Sequence, residues 1–142
     1  MGECVEQFKN PHAVYGSQGG FLYAAGHMDA EKNVQHGYYD GIGYVFHDTG
    51  LVGIDIDAGF DDGFLSPLAA DIISHCESYT EKSRSGRGVH ILVRGSLPFK
   101  GKNNRNGVEI YKSSRYFIMT GNVLIFPEII ENQAGIDYVV EK

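Results

Sequence analysis

Hydrophobic and polar residues alternate along three short segments of the chain, and this period of two predicts β-strands. In each segment the aliphatic residues share one face, and polar side chains with useful chemistry occupy the other. The segments and their polar residues are 51–57 with Asp55 and Asp57, 89–94 with His90, and 108–111 with Glu109. If the aliphatic faces form a common core, three carboxylates and an imidazole are expected to share the opposite face of one sheet.

Three other segments have the features of helices. Ser66 followed by Pro67 is a typical helix start, with a serine N-cap and a proline in the first turn. Apolar residues then recur every three or four positions, which predicts an amphipathic helix over 67–77 that packs on the sheet. A short helix over 29–37 and a closing helix over 130–141 are also predicted.

The remaining strands are expected to form hairpins. Residues 42–46 are predicted to pair with 51–57 across a short turn, and 108–111 with 116–120. Residues 1–28 have no sustained period and are expected to be irregular, with one short strand. The sequence contains no internal repeat or linker, and therefore predicts one domain of 142 residues. Its predicted class is α+β, a mixed or antiparallel sheet of hairpins flanked by a few helices.

The composition indicates a folded chain, with 42% hydrophobic residues, nine tyrosines and eight phenylalanines. No stretch approaches the roughly 18 apolar residues that a membrane-spanning helix needs. The N-terminal residues lack the basic and apolar regions of a secretion signal. Cys4 and Cys76 are isolated, which argues against a disulfide framework or a cysteine-rich zinc site and favours reduced thiols in a cytoplasm.

The charges are unevenly distributed along the chain, although their formal sum is −6. Residues 82–115 contain nine of the 12 lysines and arginines and only one acidic residue, Glu109. The first 81 residues contain 13 of the 18 acidic residues. A basic segment on an acidic protein favours a local anion site, for example for phosphates, over a surface that coats DNA.

The two aspartates of the first strand are the first candidates for chemistry. Residues spaced i, i+2 on a strand lie roughly 6.5–7 Å apart at their Cα atoms, so Asp55 and Asp57 can both reach one divalent cation or a pair of cations. Their hard oxygen ligands suit Mg²⁺ or Mn²⁺, whereas zinc would require a cluster of Cys or His. Taken alone, an Asp-x-Asp sequence is also typical of the solvent face of an amphipathic strand, and Glu109 is typical of a solvated residue.

A glycine-rich turn, Ser-Arg-Ser-Gly-Arg-Gly at 83–88, directly precedes the strand that carries His90. Backbone N–H groups of such turns can bind anions, and Ser85, Arg84 and Arg87 can add hydroxyl and guanidinium donors. His90 could then donate to a nucleotide phosphate. Each feature also has a purely structural interpretation, because the glycines can form a tight hairpin and a lone histidine is often a hydrogen-bonded sheet residue.

Taken in order, these motifs resemble those of the archaeo-eukaryotic-type primase–polymerase domains of phages and mobile elements. The sequences that carry the resemblance are Gly-Ile-Asp-Ile-Asp at 53–57, Ser-Gly-Arg-Gly-Val-His at 85–90, Val-Glu-Ile-Tyr at 108–111 and Arg-Tyr-Phe-Ile-Met-Thr-Gly at 115–121. With the spacers between them they cover residues 37–122, whereas residues 1–36 match poorly. Three motifs in order are more specific than any one of them.

The resemblance implies an RRM-like catalytic core and template-directed nucleotidyl transfer in the replication of a phage, plasmid or other mobile element. In such enzymes the acids of the first and third motifs bind Mg²⁺ or Mn²⁺, and the histidine of the second binds the triphosphate of the incoming nucleotide. Carried over, this implies catalytic metal ligands at Asp55, Asp57 and Glu109 and nucleotide contacts at Ser85, His90 and Arg115.

The implied partners are nucleoside triphosphates and a single-stranded DNA template in the cytoplasm of a bacterial host cell, with no membrane. A separate helicase or replication protein is a further partner, because many relatives continue into a helicase. Relatives usually have a fuller N-terminal unit, so the chain is expected to be an excised domain, a minimal version or a truncated product. The alternative is a non-catalytic, truncated replication-initiation or single-strand nucleic-acid-binding module. A metal-dependent nuclease would share the carboxylates but would not need the glycine-rich turn.

Overall fold

The computed structural model describes residues 12–15, 21–24, 41–48, 50–103 and 106–142, and every element below lies within these ranges. The strands are β1 (His12–Tyr15), β2 (Phe21–Ala24), β3 (Gly41–His47), β4 (Leu51–Ile56), β5 (Phe60–Asp61), β6 (Phe64–Leu65), β7 (Thr80–Lys82), β8 (Val89–Arg94), β9 (Gly101–Asn103), β10 (Val108–Tyr111), β11 (Ser113–Met119) and β12 (Val123–Ile125). The helices are α1 (Pro67–Cys76) and α2 (Gln133–Val140). The predicted α+β class is confirmed, and its strand pairs are antiparallel.

The larger sheet has the strand order β12-β7-β8-β4-β10-β9. Its adjacent strands β8, β4 and β10 are the three segments in which aliphatic and polar residues alternate. The aliphatic residues of these strands face the helices, because the side-chain period of a strand is two. The resulting core contains Val52, Ile54, Ile56, Val89, Ile91, Val93, Val108 and Ile110 of the sheet with Ile72, Ile73, Cys76, Ile136 and Val139 of the helices.

Local sequence explains where the two helices begin. Ser66 caps α1, with its Oγ accepting a hydrogen bond from the N–H of Ala69 at 3.2 Å. Asn132 caps α2 in the same way, accepting from the N–H of Gly135 at 3.0 Å. The side-chain amide of Asn132 also donates to the carbonyl of Cys76 at 2.8 Å, which ties the start of α2 to the end of α1.

A smaller sheet, with the order β11-β3-β1-β2, packs against part of the other face of the larger sheet. The side chains between the two sheets form a second, largely aromatic core: Tyr44, Phe46, Leu51, Tyr79, Leu92, Tyr111, Phe117, Met119 and Ile129. The face of the larger sheet that carries the alternating polar residues is therefore only partly accessible to solvent. One part of this face is covered by the smaller sheet, and the polar residues beside that part form the candidate site.

Gly53 lies where the two sheets approach each other closely. A Cβ at this position would lie 2.7 Å from Cε2 of Phe117 and closer still to the ring of Phe46. Only glycine leaves room for both rings here. Because the sheets are close here, the ring of Phe117 lies beside the polar residues of the larger sheet and stacks on His90.

Two predicted hairpins are wrong. β3 pairs with β1 and β11 in the smaller sheet, whereas β4 pairs with β8 and β10 in the larger one. β10 and β11 are likewise adjacent in sequence but lie in different sheets. The chain passes from one sheet to the other after β3 and again between β10 and β11. A hydrogen bond from the N–H of Asp48 to the carbonyl of Lys112, at 2.9 Å, joins these two connections. Alternation along a strand identifies its two faces but does not identify its neighbours.

Other expectations differ from the structure in smaller ways. The predicted helix over 29–37 lies outside the described residues. Within 1–28 the described residues form two antiparallel strands, β1 and β2, where one had been expected. Ile130, assigned to the closing helix, precedes α2 and is 37% exposed. Among the residues described, neither helix is long and apolar enough to span a membrane.

Candidate active site

One row of polar residues crosses four adjacent strands of the larger sheet. Asp55 on β4 lies directly opposite Glu109 on β10 and His90 on β8. His90 in turn lies opposite Glu81 on β7. Direct cross-strand partners have their side chains on the same face of a sheet. The structure therefore brings Asp55, His90 and Glu109 together as predicted, and it adds Glu81.

The row borders a pocket of about 420 Å³. Seven of the eight side chains predicted for the site line this pocket: Asp55, Asp57, Arg84, Ser85, His90, Glu109 and Arg115. Arg87 is the exception, since it is exposed on the glycine-rich turn and is not among the lining residues. The pocket is therefore bordered by carboxylates on the β4–β10 side and by cationic and hydroxyl groups from the turn and from β11.

The carboxylates of the pocket disfavour one another's charge. Burial raises the pKa of Asp55 to about 6, against an ordinary value of 3.8. His90, whose Nε2 lies 3.7 Å from Oδ1 of Asp55, opposes this shift, whereas Asp57 and Glu109 add to it. A positive charge in the pocket would offset the energetic cost of burying the ionised Asp55 carboxylate. It would also offset the repulsion between Asp55 and the other carboxylates.

Asp55, Asp57 and Glu109 offer only carboxylate oxygens, which are the ligands that hard cations such as Mg²⁺, Mn²⁺ and Ca²⁺ take. Across the described ranges, no group of three or more His, Cys, Asp or Glu residues lies close enough to hold an ion without rearrangement. Mg²⁺ is often bound by one or two carboxylates together with water and substrate phosphates. The pocket fits that mode of binding, in which the substrate completes the coordination.

The glycine-rich turn is held together by its own hydrogen bonds. The N–H of Gly86 donates to the carbonyl of Ser83 at 3.0 Å, and the N–H of Gly88 donates to the hydroxyl of Ser83, also at 3.0 Å. The N–H of Arg87 donates to the hydroxyl of Ser85 at 3.2 Å. These three N–H groups are thus occupied within the turn. Contacts from the turn to an anion are therefore expected to come mainly from side chains rather than from a backbone nest.

Three aromatic residues line the pocket: Tyr111, Tyr116 and Phe117. The ring of Phe117 stacks on His90, with centroids 4.5 Å apart and an interplanar angle of 14°. The guanidinium carbon of Arg115 lies 4.8 Å from the centroid of the Tyr111 ring. The hydroxyl oxygen of Tyr111 is buried, and none of the described residues forms a close hydrogen bond with it. Burial, followed by the influence of the nearby Glu109, raises the pKa of Tyr111 to about 12.

Sequence reasoning missed Glu81, Ser83, Tyr111 and Phe117. Tyr111 and Phe117 lie within the matched motifs, but their contribution depends on how the smaller sheet packs on the larger one. Ser83 is the first residue of the glycine-rich turn. Serine hydroxyls at this position often accept hydrogen bonds from N–H groups of the turn, and this role of Ser83 could have been predicted. Glu81 carries no local signal beyond its position in a short extended segment.

A comparison with curated proteins shows similarity to a protein of Nitratiruptor phage NrS-1 named DNA Primase-polymerase. The two sequences are 35% identical over a 92-residue alignment, which includes 59% of this chain and 13% of the relative. The aligned region thus spans a small part of the relative's length. No family model matches the sequence. The similarity supports the relationship to primase–polymerases that the order of the motifs predicts.

Proposed function

We propose that this chain is a DNA primase–polymerase domain, which transfers nucleotides to a 3′-hydroxyl on a single-stranded DNA template during replication of a phage or other mobile element. The observation that carries the proposal is the direct cross-strand pairing of Asp55 with both His90 and Glu109 at the edge of one pocket. Nucleotidyl transfer requires carboxylates for divalent cations and donors for the triphosphate. The pocket contains both kinds of group.

Each part of the pocket has a role in this proposal. Asp55, Asp57 and Glu109 would bind the divalent cations. Bound there, Mg²⁺ or Mn²⁺ would supply charge stabilisation for the attacking and leaving oxygens. His90 would donate to the triphosphate from the floor of the pocket, and Arg115 from its exposed side.

The glycine-rich turn would add donors on the opposite border of the pocket. The hydroxyl of Ser83 accepts from the N–H of Gly88 and lies 3.1 Å from the hydroxyl of Ser85. One of these two hydroxyls donates to the other, which leaves one hydroxyl hydrogen for a phosphate oxygen. Arg84 lines the same border and adds positive charge. Phosphates of the incoming nucleotide would therefore lie between the turn and β11, with the α-phosphate toward the carboxylates.

One observation favours the alternative of a nucleic-acid-binding module without catalysis. The described residues contain no ready group of three acidic, His or Cys side chains for a metal ion. Such a module would keep the cationic border of the pocket but would not require divalent cations. Dependence of function on Mg²⁺ or Mn²⁺ therefore separates the two proposals.

The test is incorporation of labelled nucleotides on primed and unprimed single-stranded DNA, with Mg²⁺ or Mn²⁺ and with EDTA. We expect incorporation by the wild type to require the cation and to disappear in Asp57→Asn. Asp61→Asn is the matched control, because Asp61 is exposed like Asp57 but does not line the pocket. Incorporation on the unprimed template would identify a primase, and incorporation on the primed template alone would identify an extending polymerase.

Two results would contradict the catalytic proposal. The first is equal incorporation by Asp57→Asn and Asp61→Asn, which would place the activity outside this pocket. The second is binding of single-stranded DNA that is insensitive to EDTA, without incorporation under any condition. That second result would support the binding module.

A further inference from the structure

Beside His90, on the side away from Asp55, lies a carboxylate that no motif pointed to. Glu81 on β7 has 0% of its surface exposed and does not line the pocket. A buried carboxylate is tolerated only where donors satisfy its oxygens. The donors around Glu81 therefore indicate its role.

Among the described residues, three hydrogen-bond donors other than histidine reach the two oxygens of Glu81. Oε1 accepts from the hydroxyl of Tyr79 at 2.7 Å and from the N–H of Gly121 at 3.2 Å. Oε2 accepts from the N–H of Thr120 at 3.0 Å. The fourth neighbour is Nδ1 of His90, 3.3 Å from Oε2.

This arrangement determines which ring nitrogen carries hydrogen. An ionised carboxylate has about four acceptor positions and no hydrogen to donate. Backbone N–H groups directed at both oxygens of Glu81 favour this acceptor-only form. Nδ1 of His90 then has to be a donor, because an Nδ1 lone pair directed at Oε2 would be repelled by the carboxylate and would leave Nδ1 without a partner.

The second nitrogen of the ring is directed toward the site. Nε2 of His90 lies 3.7 Å from Oδ1 of Asp55, and His90 lines the pocket. Stacking against Phe117 restricts the plane of the ring. With one edge bonded to Glu81 and one face against Phe117, the imidazole cannot exchange its two nitrogens without breaking these contacts.

We propose that Glu81 is a positioning residue, which keeps hydrogen on Nδ1 of His90 and holds Nε2 toward the pocket. Its effect on nucleotide binding rests on the proposed function, since it acts through the contact between His90 and a phosphate. Its effect on the tautomer does not rest on that function. Donation from Nε2 to a phosphate oxygen requires hydrogen on that nitrogen as well.

The tautomer can be measured on the wild-type protein, without any variant at Glu81. In ¹⁵N-histidine NMR spectra, Nδ1 of His90 should show the shift and couplings of a nitrogen that carries hydrogen. His90→Asn identifies the signals by their loss. An Nδ1 without hydrogen overturns the proposal, whatever the function of the chain.

The effect on function is tested by the affinity for dATP in the presence of Mg²⁺. Glu81→Gln should weaken binding about tenfold, which corresponds to about 1.4 kcal/mol. The matched control is Tyr79→Phe, which removes another hydrogen bond to Glu81 but none to His90, and which should change the affinity less than about twofold. In a His90→Ala background, Glu81→Gln should have no further effect on affinity.

The outcomes separate the two proposals. Equal effects of Glu81→Gln and Tyr79→Phe, or an undiminished effect of Glu81→Gln in the His90→Ala background, would show a merely structural role and overturn the positioning role. Unchanged dATP affinity in His90→Ala would instead contradict the nucleotide contact of the proposed function, and the NMR measurement would then decide the role of Glu81. The same measurement decides if Glu81→Gln fails to fold.

Discussion

Asp55 and Glu109 are direct cross-strand partners on β4 and β10, with both carboxylates on the pocket face. Like charges directly opposite each other destabilise a sheet. Burial, and after it the charges of Asp57 and Glu109, raise the pKa of Asp55 to about 6, although His90 opposes the shift. The fold thus holds two carboxylates together in an arrangement that a nearby positive charge would stabilise.

Replacing Asp55 with asparagine should make the metal-free protein more stable at neutral pH. The pKa of Asp55 is raised in the folded state, from 3.8 to about 6. Its contribution to stability is therefore fully present below about pH 3.8 and is lost as the pH rises through about 6. Asparagine does not titrate, so the stability advantage of the variant should grow between pH 4 and pH 7. We expect it to reach about 1–2 kcal/mol once solvent screening is allowed for.

The measurement is a series of thermal melts in EDTA from pH 4 to pH 8. Asp61→Asn is the control, since it removes an exposed carboxylate of the same size and should change stability by less than about 0.5 kcal/mol at any pH. Addition of Mn²⁺ should then raise the melting temperature of the wild type more than that of Asp55→Asn. If the stability difference between Asp55→Asn and the wild type were the same at every pH, the raised pKa of Asp55 would not be its cause.

Gly53→Ala should destabilise the protein by about 1–3 kcal/mol, because the added methyl group would overlap two buried aromatic rings, which would have to shift. The rings belong to Phe46 and Phe117, which themselves pack edge to face with centroids 4.9 Å apart. Urea denaturation measures the loss. Phe46→Leu frees space at the same point, so the double variant should lose less stability than the sum of the two single variants. Additive losses would show that the close approach of the sheets at Gly53 is not the cause.

The sequence was sufficient to predict the strands of the site and the faces of their residues. Ile54 and Ile56 alternate with Asp55, and a strand period of two leaves no other assignment once the aliphatic residues are buried. The same reasoning predicted that His90 and Glu109 would share a face with Asp55. It did not require any knowledge of which strands are neighbours, provided that all three belong to one sheet.

Strand pairing and long-range burial could not be predicted in the same way. β3 and β4 are consecutive strands joined by a short segment, but the partners of β3 are β1 and β11, which are distant in sequence from each other. Glu81 is satisfied by N–H groups of Thr120 and Gly121, 39 and 40 residues away. Local patterns contain no information about such contacts. Arg87 shows that a local pattern can also suggest a contact too readily. Its place in the glycine-rich turn predicted a phosphate contact, but Arg87 is not among the residues that line the pocket.

Tyr111→Phe should leave the stability of the protein unchanged or increase it by up to about 1–2 kcal/mol, because it removes a buried hydroxyl that makes no close hydrogen bond to any residue the structure describes. The comparison is Tyr79→Phe, in which a buried hydroxyl that donates to Glu81 at 2.7 Å is lost. That variant should be less stable than the wild type. Urea denaturation of both variants checks the difference. Equal losses in the two would show that the Tyr111 hydroxyl has a stabilising partner in solution.

Arg115→Ala and Arg87→Ala should differ in nucleotide affinity although each removes one positive charge. Arg115 lines the pocket, and loss of a charge-assisted contact to phosphate should weaken dATP binding about tenfold or more. Arg87 is exposed outside the lining, so its loss should change the affinity less than about twofold. Titrations with dATP and Mg²⁺ at two salt concentrations measure both effects, and unfolding curves verify that the variants are folded. Similar losses in both variants would indicate that the basic segment acts through its overall charge, and that the position of Arg115 beside the carboxylates is not what binds the phosphates.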